Sequence, residues 1–245
     1  MSASTPARVR VTPFTWLLAA IALITALLYL LGDQLGGPAW LHLTLKPVPV
    51  LALALWVSGL PMKGRYQLFI ALGLLLSALG DILLEMSEAT FLIGLGAFLL
   101  AHVAYIAAFL QDTRKLYPFH GAAAYIYGFL ALGFLLTTGN LGGMMLPVQL
   151  YVLVITTMLW RAAVRLDLPQ VPRFSVWAGL FGALFFVLSD TILAFRLFET
   201  PIQLGGWAVM ITYWLGQFGL ALSAWRRPAR AISSPTNSGG APRSP

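Results

Sequence analysis

The sequence predicts an all-α integral membrane protein with eight transmembrane helices, and three observations support this fold class. Hydrophobic residues make up 59% of the chain and charged residues 9%, with a mean hydropathy of +0.84, whereas soluble domains carry roughly a quarter charged residues. Long apolar segments follow one another with short polar links between them. Basic residues collect in alternate links. A soluble protein is therefore excluded.

Eight segments approach the length that crosses a hydrocarbon core, which is roughly 20 apolar residues in a helix. They are Phe14–Leu31, Pro47–Leu60, Gln67–Leu84, Thr90–Leu110, Gly121–Thr138, Leu146–Val164, Phe174–Leu197 and Leu204–Trp225. The first has no small-x-small cleavage pattern after it, which favours a retained helix over a cleaved signal peptide. We expect one membrane domain over 14–225, a cytoplasmic segment over 1–13, and a disordered, Pro-, Ser- and Gly-rich cytoplasmic tail over 226–245.

The distribution of Lys and Arg predicts the orientation of the chain in the membrane. With a cytoplasmic N-terminus and eight spans, thirteen of the 15 basic residues lie on the cytoplasmic side, and only Lys46 and Arg196 lie on the outer side. The acidic residues of that outer side are Asp33, Glu85, Glu88 and Glu199. Basic residues favour cytoplasmic loops, so we expect a multi-pass protein of the cell membrane with both termini cytoplasmic.

Charge and cysteine content exclude several functions. The net charge of +7 comes from basic residues scattered between apolar runs and not from one continuous stripe, so nucleic acid is not an expected partner. The chain has no cysteine, which removes disulfides, thiolate nucleophiles and cysteine metal sites. GxSxG, Walker and Rossmann motifs are absent as well.

A short internal similarity indicates a repeat. The stretch GLLLSALGDILL, Gly73–Leu84, aligns with GALFFVLSDTIL, Gly182–Leu193, and each places an Asp at the same distance after a Gly. The third and seventh spans are then equivalent, which predicts a parallel repeat of four plus four helices. Chance similarity between apolar helices is the alternative.

Asp81 and Asp190 are the strongest candidates for chemistry, because an ionised carboxylate inside an apolar helix costs on the order of 3 kcal/mol or more. The repeat places both near the outer ends of their helices, and side-by-side helices would bring them together. In a poorly solvated site two carboxyl groups repel each other's charge, so one can remain protonated while the other ionises. They form a candidate acid and base pair. Capping of a helix end or pairing with a buried lysine is the structural alternative.

Two further charged residues lie near the same membrane face. Glu85 follows Asp81 by one helical turn and so shares its face, either as a third carboxyl group of the site or as a solvated helix end. Lys46, in LKPVPV, can neutralise a carboxylate, bind a lipid phosphate or extend to the interface. Asp112, by contrast, lies in a loop, and we expect a surface carboxylate there.

His102 lies in the middle of the fourth span and shares a face with Phe98 and Tyr105. We expect it to be a supporting residue and not a metal ligand, because no histidine spacing typical of a zinc site occurs and His42 and His120 are assigned to loops. No metal site and no cofactor is predicted.

Tyr151, Tyr213 and Gln217 are polar side chains within apolar spans. They either line a polar cavity or form hydrogen bonds between helices.

Four stretches, taken in this order and spacing, resemble the YhhN family, which includes the TMEM86 lysoplasmalogenases. They are LKP at Lys46, GDILLEM around Asp81, GAFLLAHVAYIAAF around His102 and GALFFVLSDTILAF around Asp190. The resemblance extends over roughly Pro38 to Trp225.

The resemblance implies an eight-helix hydrolase that cleaves the vinyl ether bond of lysoplasmalogens. The products are a fatty aldehyde and a glycerophospho-headgroup, and the partners are a lysophospholipid substrate and membrane lipids. Asp81 and Asp190 then act as acid and base, Lys46 holds the phosphate or tunes the pair, and no cofactor is required. Two other classes stay open: a proton-coupled transporter of a small amphiphile, and a nonenzymatic membrane scaffold. The oligomeric state is not predicted.

Overall fold

The computed structural model describes residues 12–61, 64–139, 141–198 and 205–226. The helices in these ranges are α1 Pro13–Gln34, α2 Ala39–Leu45, α3 Val48–Ser58, α4 Arg65–Met86, α5 Phe91–Leu110, α6 Pro118–Thr138, α7 Met145–Val164, α8 Arg173–Phe198 and α9 Gly205–Ser223. Most of the N-terminal segment and nearly all of the predicted tail lie outside the described residues.

Lipid-facing surfaces are apolar on most of these helices, and polar side chains concentrate inside the bundle. Trp16 is 68% exposed, Phe129 76% and Leu146 74%, which is expected where hydrocarbon replaces water outside the protein. Ser77, His102 and Gln217 are fully buried. The prediction of an all-α membrane protein is confirmed.

Within the described residues, seven helical stretches are long and apolar enough to cross a membrane, and α9 is not among them. Although α9 has 19 residues, it carries Tyr213, Gln217 and several glycines, which lower its hydropathy. The eighth span therefore stays a prediction.

The second span begins earlier than predicted and contains a break. Residues Ala39–Ser58 form one candidate span, whereas the sequence predicted a start at Pro47. Because proline has no N–H to donate, Pro47 and Pro49 interrupt the hydrogen-bond ladder. The chain remains helical on both sides, with Lys46 N donating to His42 O at 3.1 Å and Leu51 N to Pro47 O at 2.9 Å.

Helices α8 and α9 are antiparallel and pack closely along their whole length. Ser175 Oγ donates to Ser223 O at 2.6 Å near one end, and Ser189 Oγ donates to Val209 O at 3.0 Å near the other. Between these contacts, a Cβ atom on Gly182 would collide with the backbone of Gly219. Small residues permit this backbone approach, as is typical of membrane helix pairs.

Gly73, the counterpart of Gly182 in the proposed repeat, also lies at a close helix contact. A Cβ atom there would collide with the ring of Tyr105 on α5. The two glycines thus serve the same packing purpose on α4 and α8, while the four-plus-four repeat itself stays a prediction.

Asp112 is not a surface residue, contrary to the prediction from its loop position. Its side chain is 6% exposed, and it accepts hydrogen bonds from Arg226 Nη1 at 2.6 Å, Arg226 Nη2 at 2.8 Å and Arg165 Nε at 2.8 Å. Burial lowers the pKa of Arg226, but the hydrogen bonds to Asp112 outweigh this effect and hold the pKa above its usual value. The guanidinium group of Arg226 therefore stays charged.

Arg165 extends this ion cluster into the end of the bundle. Its side chain is fully buried, Nη2 donates to Ser175 Oγ at 2.7 Å, and the guanidinium lies 5.0 Å from the ring of Phe109 and 5.3 Å from that of Tyr66. The cluster joins the starts of α4 and α8 to the ends of α5, α7 and α9.

Candidate active site

Asp81 and Asp190 line one cavity of about 290 Å³ inside the bundle. Tyr151, Tyr213 and Lys46 also line it, and most of the remaining wall is apolar, with side chains such as Leu84, Leu95, Leu132, Leu135, Val148, Val152 and Ile155. The two carboxyl groups that the sequence placed at one level thus line one cavity, and their catalytic roles stay a prediction. An apolar chamber with a few polar groups is typical of a small-molecule site.

Asp190, on α8, is held by a tyrosine from α7. Tyr151 Oη donates to Asp190 Oδ2 at 2.6 Å, and the Asp190 side chain retains 16% exposure. His102 Nε2 lies 3.9 Å from the same oxygen, which is beyond a direct hydrogen bond and within the reach of a bridging water. This carboxyl group is the more accessible of the two.

Asp81, on α4, is held by a tyrosine from α9. Tyr213 Oη donates to Asp81 Oδ2 at 2.8 Å, and the residue is 1% exposed. The two tyrosines lie on helices that the internal repeat does not relate to each other, so each carboxyl group has its own environment.

Phe186 is a fully buried ring one turn before Asp190 that packs behind the cavity wall and does not itself line the cavity. Its ring centroid lies 4.6 Å from that of His102, 5.5 Å from that of Tyr213 and 6.2 Å from that of Phe98, all edge-on. Phe186 was not singled out from the sequence, although it lies within the GALFFVLSD stretch of the proposed repeat. Its ring packs against the rings of His102, Tyr213 and Phe98 and so helps to hold them in place.

The face shared by Phe98, His102 and Tyr105 on α5 is confirmed, since all three contact Phe186. Tyr105 Oη donates to Gln217 Oε1 at 2.7 Å, and both residues are fully buried. Gln217 thus takes part in a hydrogen bond between helices, whereas Tyr151 and Tyr213 do both: they line the cavity and donate hydrogen bonds to carboxyl groups on other helices.

Lys46 neutralises Glu85 and not one of the two aspartates. Lys46 Nζ donates to Glu85 Oε2 at 3.0 Å, with the side chains 14% and 23% exposed. His42 Nδ1 lies 4.0 Å from Glu85 Oε1. Glu85, near the end of α4, is paired with Lys46 and is not among the residues that line the cavity, so its part in the site stays a prediction.

The other two histidines were assigned to loops from the sequence, but both lie in helices. His42 belongs to α2, and His120 belongs to α6, with Nε2 at 3.4 Å from Asp167 Oδ2. Among the described ranges, no three His, Asp or Glu side chains are grouped so that they can hold a metal ion. The cavity wall carries two carboxyl groups, those of Asp81 and Asp190.

The fold and the cavity define a class of protein: a helical membrane protein whose interior holds two tyrosine-bonded carboxyl groups in an apolar chamber. The model of the YhhN family matches residues 41–224. The chain belongs to the YhhN family.

Curated relatives cover most of the chain. The lysoplasmalogenase TMEM86B of Mus musculus is 32% identical over 217 residues, which are 86% of this chain and 87% of that protein. The human lysoplasmalogenase TMEM86B is 34% identical over 207 residues, 82% of this chain and 81% of that protein. A lysoplasmalogenase of Mycobacterium tuberculosis (strain CDC 1551 / Oshkosh) is 32% identical over 190 residues, 75% of this chain and 68% of that protein. No solved structure matches the chain.

Proposed function

We propose that this protein is a membrane-embedded lysoplasmalogenase, which hydrolyses the vinyl ether bond of lysoplasmalogens. The single observation that carries the proposal is the pair of carboxyl groups on one apolar cavity, in a chain about one third identical to lysoplasmalogenases from animals and a bacterium. The products are a fatty aldehyde and a glycerophospho-headgroup.

The chemistry needs a proton donor and a group that stabilises positive charge. Protonation of the vinyl carbon remote from the ether oxygen gives an oxocarbenium ion. Water adds to the carbon next to oxygen and forms a hemiacetal, which collapses to the aldehyde and the alcohol with return of the proton. One of Asp81 and Asp190 delivers the proton, and the other, ionised, stabilises the cation and orients the water.

Tyr151 and Tyr213 support these roles by position. Each donates a hydrogen bond to one carboxyl oxygen, which fixes that oxygen and leaves the second oxygen of the same group to face the substrate or water. His102, near Asp190 Oδ2, is a positioning residue in this scheme. No metal and no organic cofactor takes part.

An amphiphilic substrate suits the lining of the cavity. Lys46 lines the same cavity as Asp81, and its ammonium group, which donates one hydrogen bond to Glu85, has further N–H groups to donate to a phosphate. The rest of the wall is mainly apolar and suits a hydrocarbon chain. We expect the headgroup near Lys46 and the chain directed away from it. The two other classes left open by the sequence, a proton-coupled transporter and a nonenzymatic membrane scaffold, have no separate observation in their favour.

We also propose that α9 is the eighth span and that both termini are cytoplasmic. Helix α9 packs beside α8: Ser223 contacts Ser175 near one end, and Val209 contacts Ser189 near the other. Its 19 residues rise about 28 Å at 1.5 Å per residue.

A C-terminal fusion to alkaline phosphatase is therefore expected to be inactive, while a fusion to a cytoplasmic fluorescent reporter is expected to be active. A phosphatase active outside the cell would contradict the even number of spans.

The activity itself is tested with the purified protein in detergent. Incubation with a lysoplasmalogen is expected to release free aldehyde, measured by coupled reduction with an alcohol dehydrogenase and NADH. The matched saturated alkyl ether lipid is the control and is expected to give none, because it has no vinyl carbon to protonate. Failure of the wild-type protein to release aldehyde from lysoplasmalogens with an ethanolamine or a choline headgroup would overturn the proposal.

A further inference from the structure

A second apolar cavity, a groove of about 550 Å³, lies between α6 and α8 with α7 as its floor. Ala123 and Ala124 line it from α6, Leu159 and Ala163 from α7, and Leu180, Phe181, Leu184 and Leu188 from α8. His120 stands at the end remote from Asp190. The proposed catalytic roles do not use this space.

The groove continues the catalytic cavity along the axis of the bundle. Tyr127 and Val187 line both spaces. On α8 the groove extends from Leu180 to Leu188, while the cavity extends from Val187 to Phe198. At the junction, Tyr127 on α6 forms a hydrogen bond of 2.7 Å with Thr191 on α8, the residue directly after Asp190. The two spaces therefore meet end to end beside a proposed catalytic residue.

The side of the groove is open to the surroundings of the bundle. Leu184 is 43% exposed, Leu188 44% and Tyr127 38%, although each of them lines the groove. For a protein in a bilayer this opening faces lipid hydrocarbon, so a chain within the groove remains in contact with apolar material on all sides.

Size indicates what the groove is for. Pockets that hold drug-sized ligands measure roughly 300–1,000 Å³, and the catalytic cavity, at about 290 Å³, lies at the lower limit of that range. A lysophospholipid with a long chain is larger than such a ligand. The part of α8 between Leu180 and Asp190 is roughly 15 Å long at about 1.5 Å per residue. The groove lies along this part of the helix and so extends the space available to a long chain.

We propose that this groove holds the distal part of the substrate's hydrocarbon chain, which passes from the catalytic cavity between Tyr127 and Val187. The inference rests on the proposed function, because it places the vinyl ether bond at the two aspartates and the headgroup near Lys46. The groove then determines which chain lengths the enzyme prefers and gives the chain a lateral path to the bilayer.

Two neighbouring alanines on α6 provide a matched test. Ala122 and Ala123 are both exposed, but only Ala123 lines the groove. Ala123→Trp fills the groove, while Ala122→Trp adds the same ring beside it. The measurement is kcat/KM for a long-chain lysoplasmalogen divided by kcat/KM for a short-chain one. This ratio is expected to fall roughly tenfold or more in Ala123→Trp, since loss of buried methylenes weakens transition-state binding. In Ala122→Trp the ratio is expected to stay at the wild-type value.

An unchanged ratio in Ala123→Trp would overturn the inference and would mean that the groove holds only bilayer lipid or nothing. If that variant does not fold, Leu184→Trp, from the opposite wall, makes the same test. Binding of saturated alkyl ether lysophospholipids of both lengths, measured by the shift in thermal unfolding, separates the two proposals. In one outcome, the wild type releases no aldehyde, but binding of the long-chain lipid is lost in Ala123→Trp and kept in Ala122→Trp. That result would support the groove as a site for the hydrocarbon chain and would contradict the proposed function.

Discussion

Replacement of Asp190 by Asn is expected to reduce aldehyde release by about a hundredfold or more, the scale expected for loss of a general acid or base. The amide keeps the shape of the side chain, and its oxygen can still accept from Tyr151 Oη, which lies 2.6 Å from the carboxyl group. It can neither deliver a proton nor carry the charge that stabilises an oxocarbenium ion. Asp81→Asn is expected to cause a similar loss, because its carboxyl group lines the same cavity and is bonded by Tyr213.

The control for both variants is Glu88→Gln, an exposed carboxylate just beyond the end of α4. Aldehyde release and thermal stability in detergent should be measured together. Near-normal activity of either aspartate variant would remove that residue from the mechanism. Lost activity accompanied by lost stability would instead support the alternative that the carboxyl group only holds helices together.

Replacement of Asp112 by Ala is expected to destabilise the protein by about 3–5 kcal/mol, the usual cost of removing one partner from a buried ion pair. The reason is that Arg165, which is fully buried, and Arg226 would both lose their carboxylate. The measurement is the shift of the unfolding transition in detergent. Activity per folded molecule is expected to change little, because the cluster lies outside the catalytic cavity.

A second replacement distinguishes loss of the ion pair from loss of packing. Adding Arg165→Met to Asp112→Leu removes a buried charge of each sign, and apolar replacement of a buried pair is often neutral. The double variant is therefore expected to regain only the part of the lost stability that belongs to Arg165, since Arg226 still lacks its carboxylate. An Asp112→Ala protein with wild-type thermal stability would show that the cluster contributes little to folding.

Local patterns in the sequence were sufficient for the fold class and for the two aspartates. Hydrophobicity and length decide whether a segment can cross a membrane, and both are properties of consecutive residues. A carboxyl group in such a segment is conspicuous because its cost is high. The shared Gly-to-Asp spacing of α4 and α8 then placed both carboxyl groups at the same level, where the structure has them on one cavity.

Only the tertiary structure decided which groups surround those aspartates. The partners Tyr151 and Tyr213 come from two other helices. When most residues of a span are apolar, the sequence pattern does not determine which side of the helix faces the interior of the bundle, so the direction of a tyrosine side chain cannot be predicted. The same applies to Phe186, whose ring contacts come from α5 and α9. Such contacts depend on the rotation and packing of whole helices, which a hydropathy pattern does not contain.

The expectation for Asp112 was wrong for a physical reason. Asp112 lies in a link, which predicted exposure, yet it is buried because two arginines that follow other helices converge on it. Glu85 likewise has a partner from elsewhere in the chain, Lys46 at the break between α2 and α3. The sequence by itself determined the all-α membrane fold class and which carboxyl groups are costly within apolar helices. The folded bundle decided which charges meet, because ion pairs join residues that are distant along the chain.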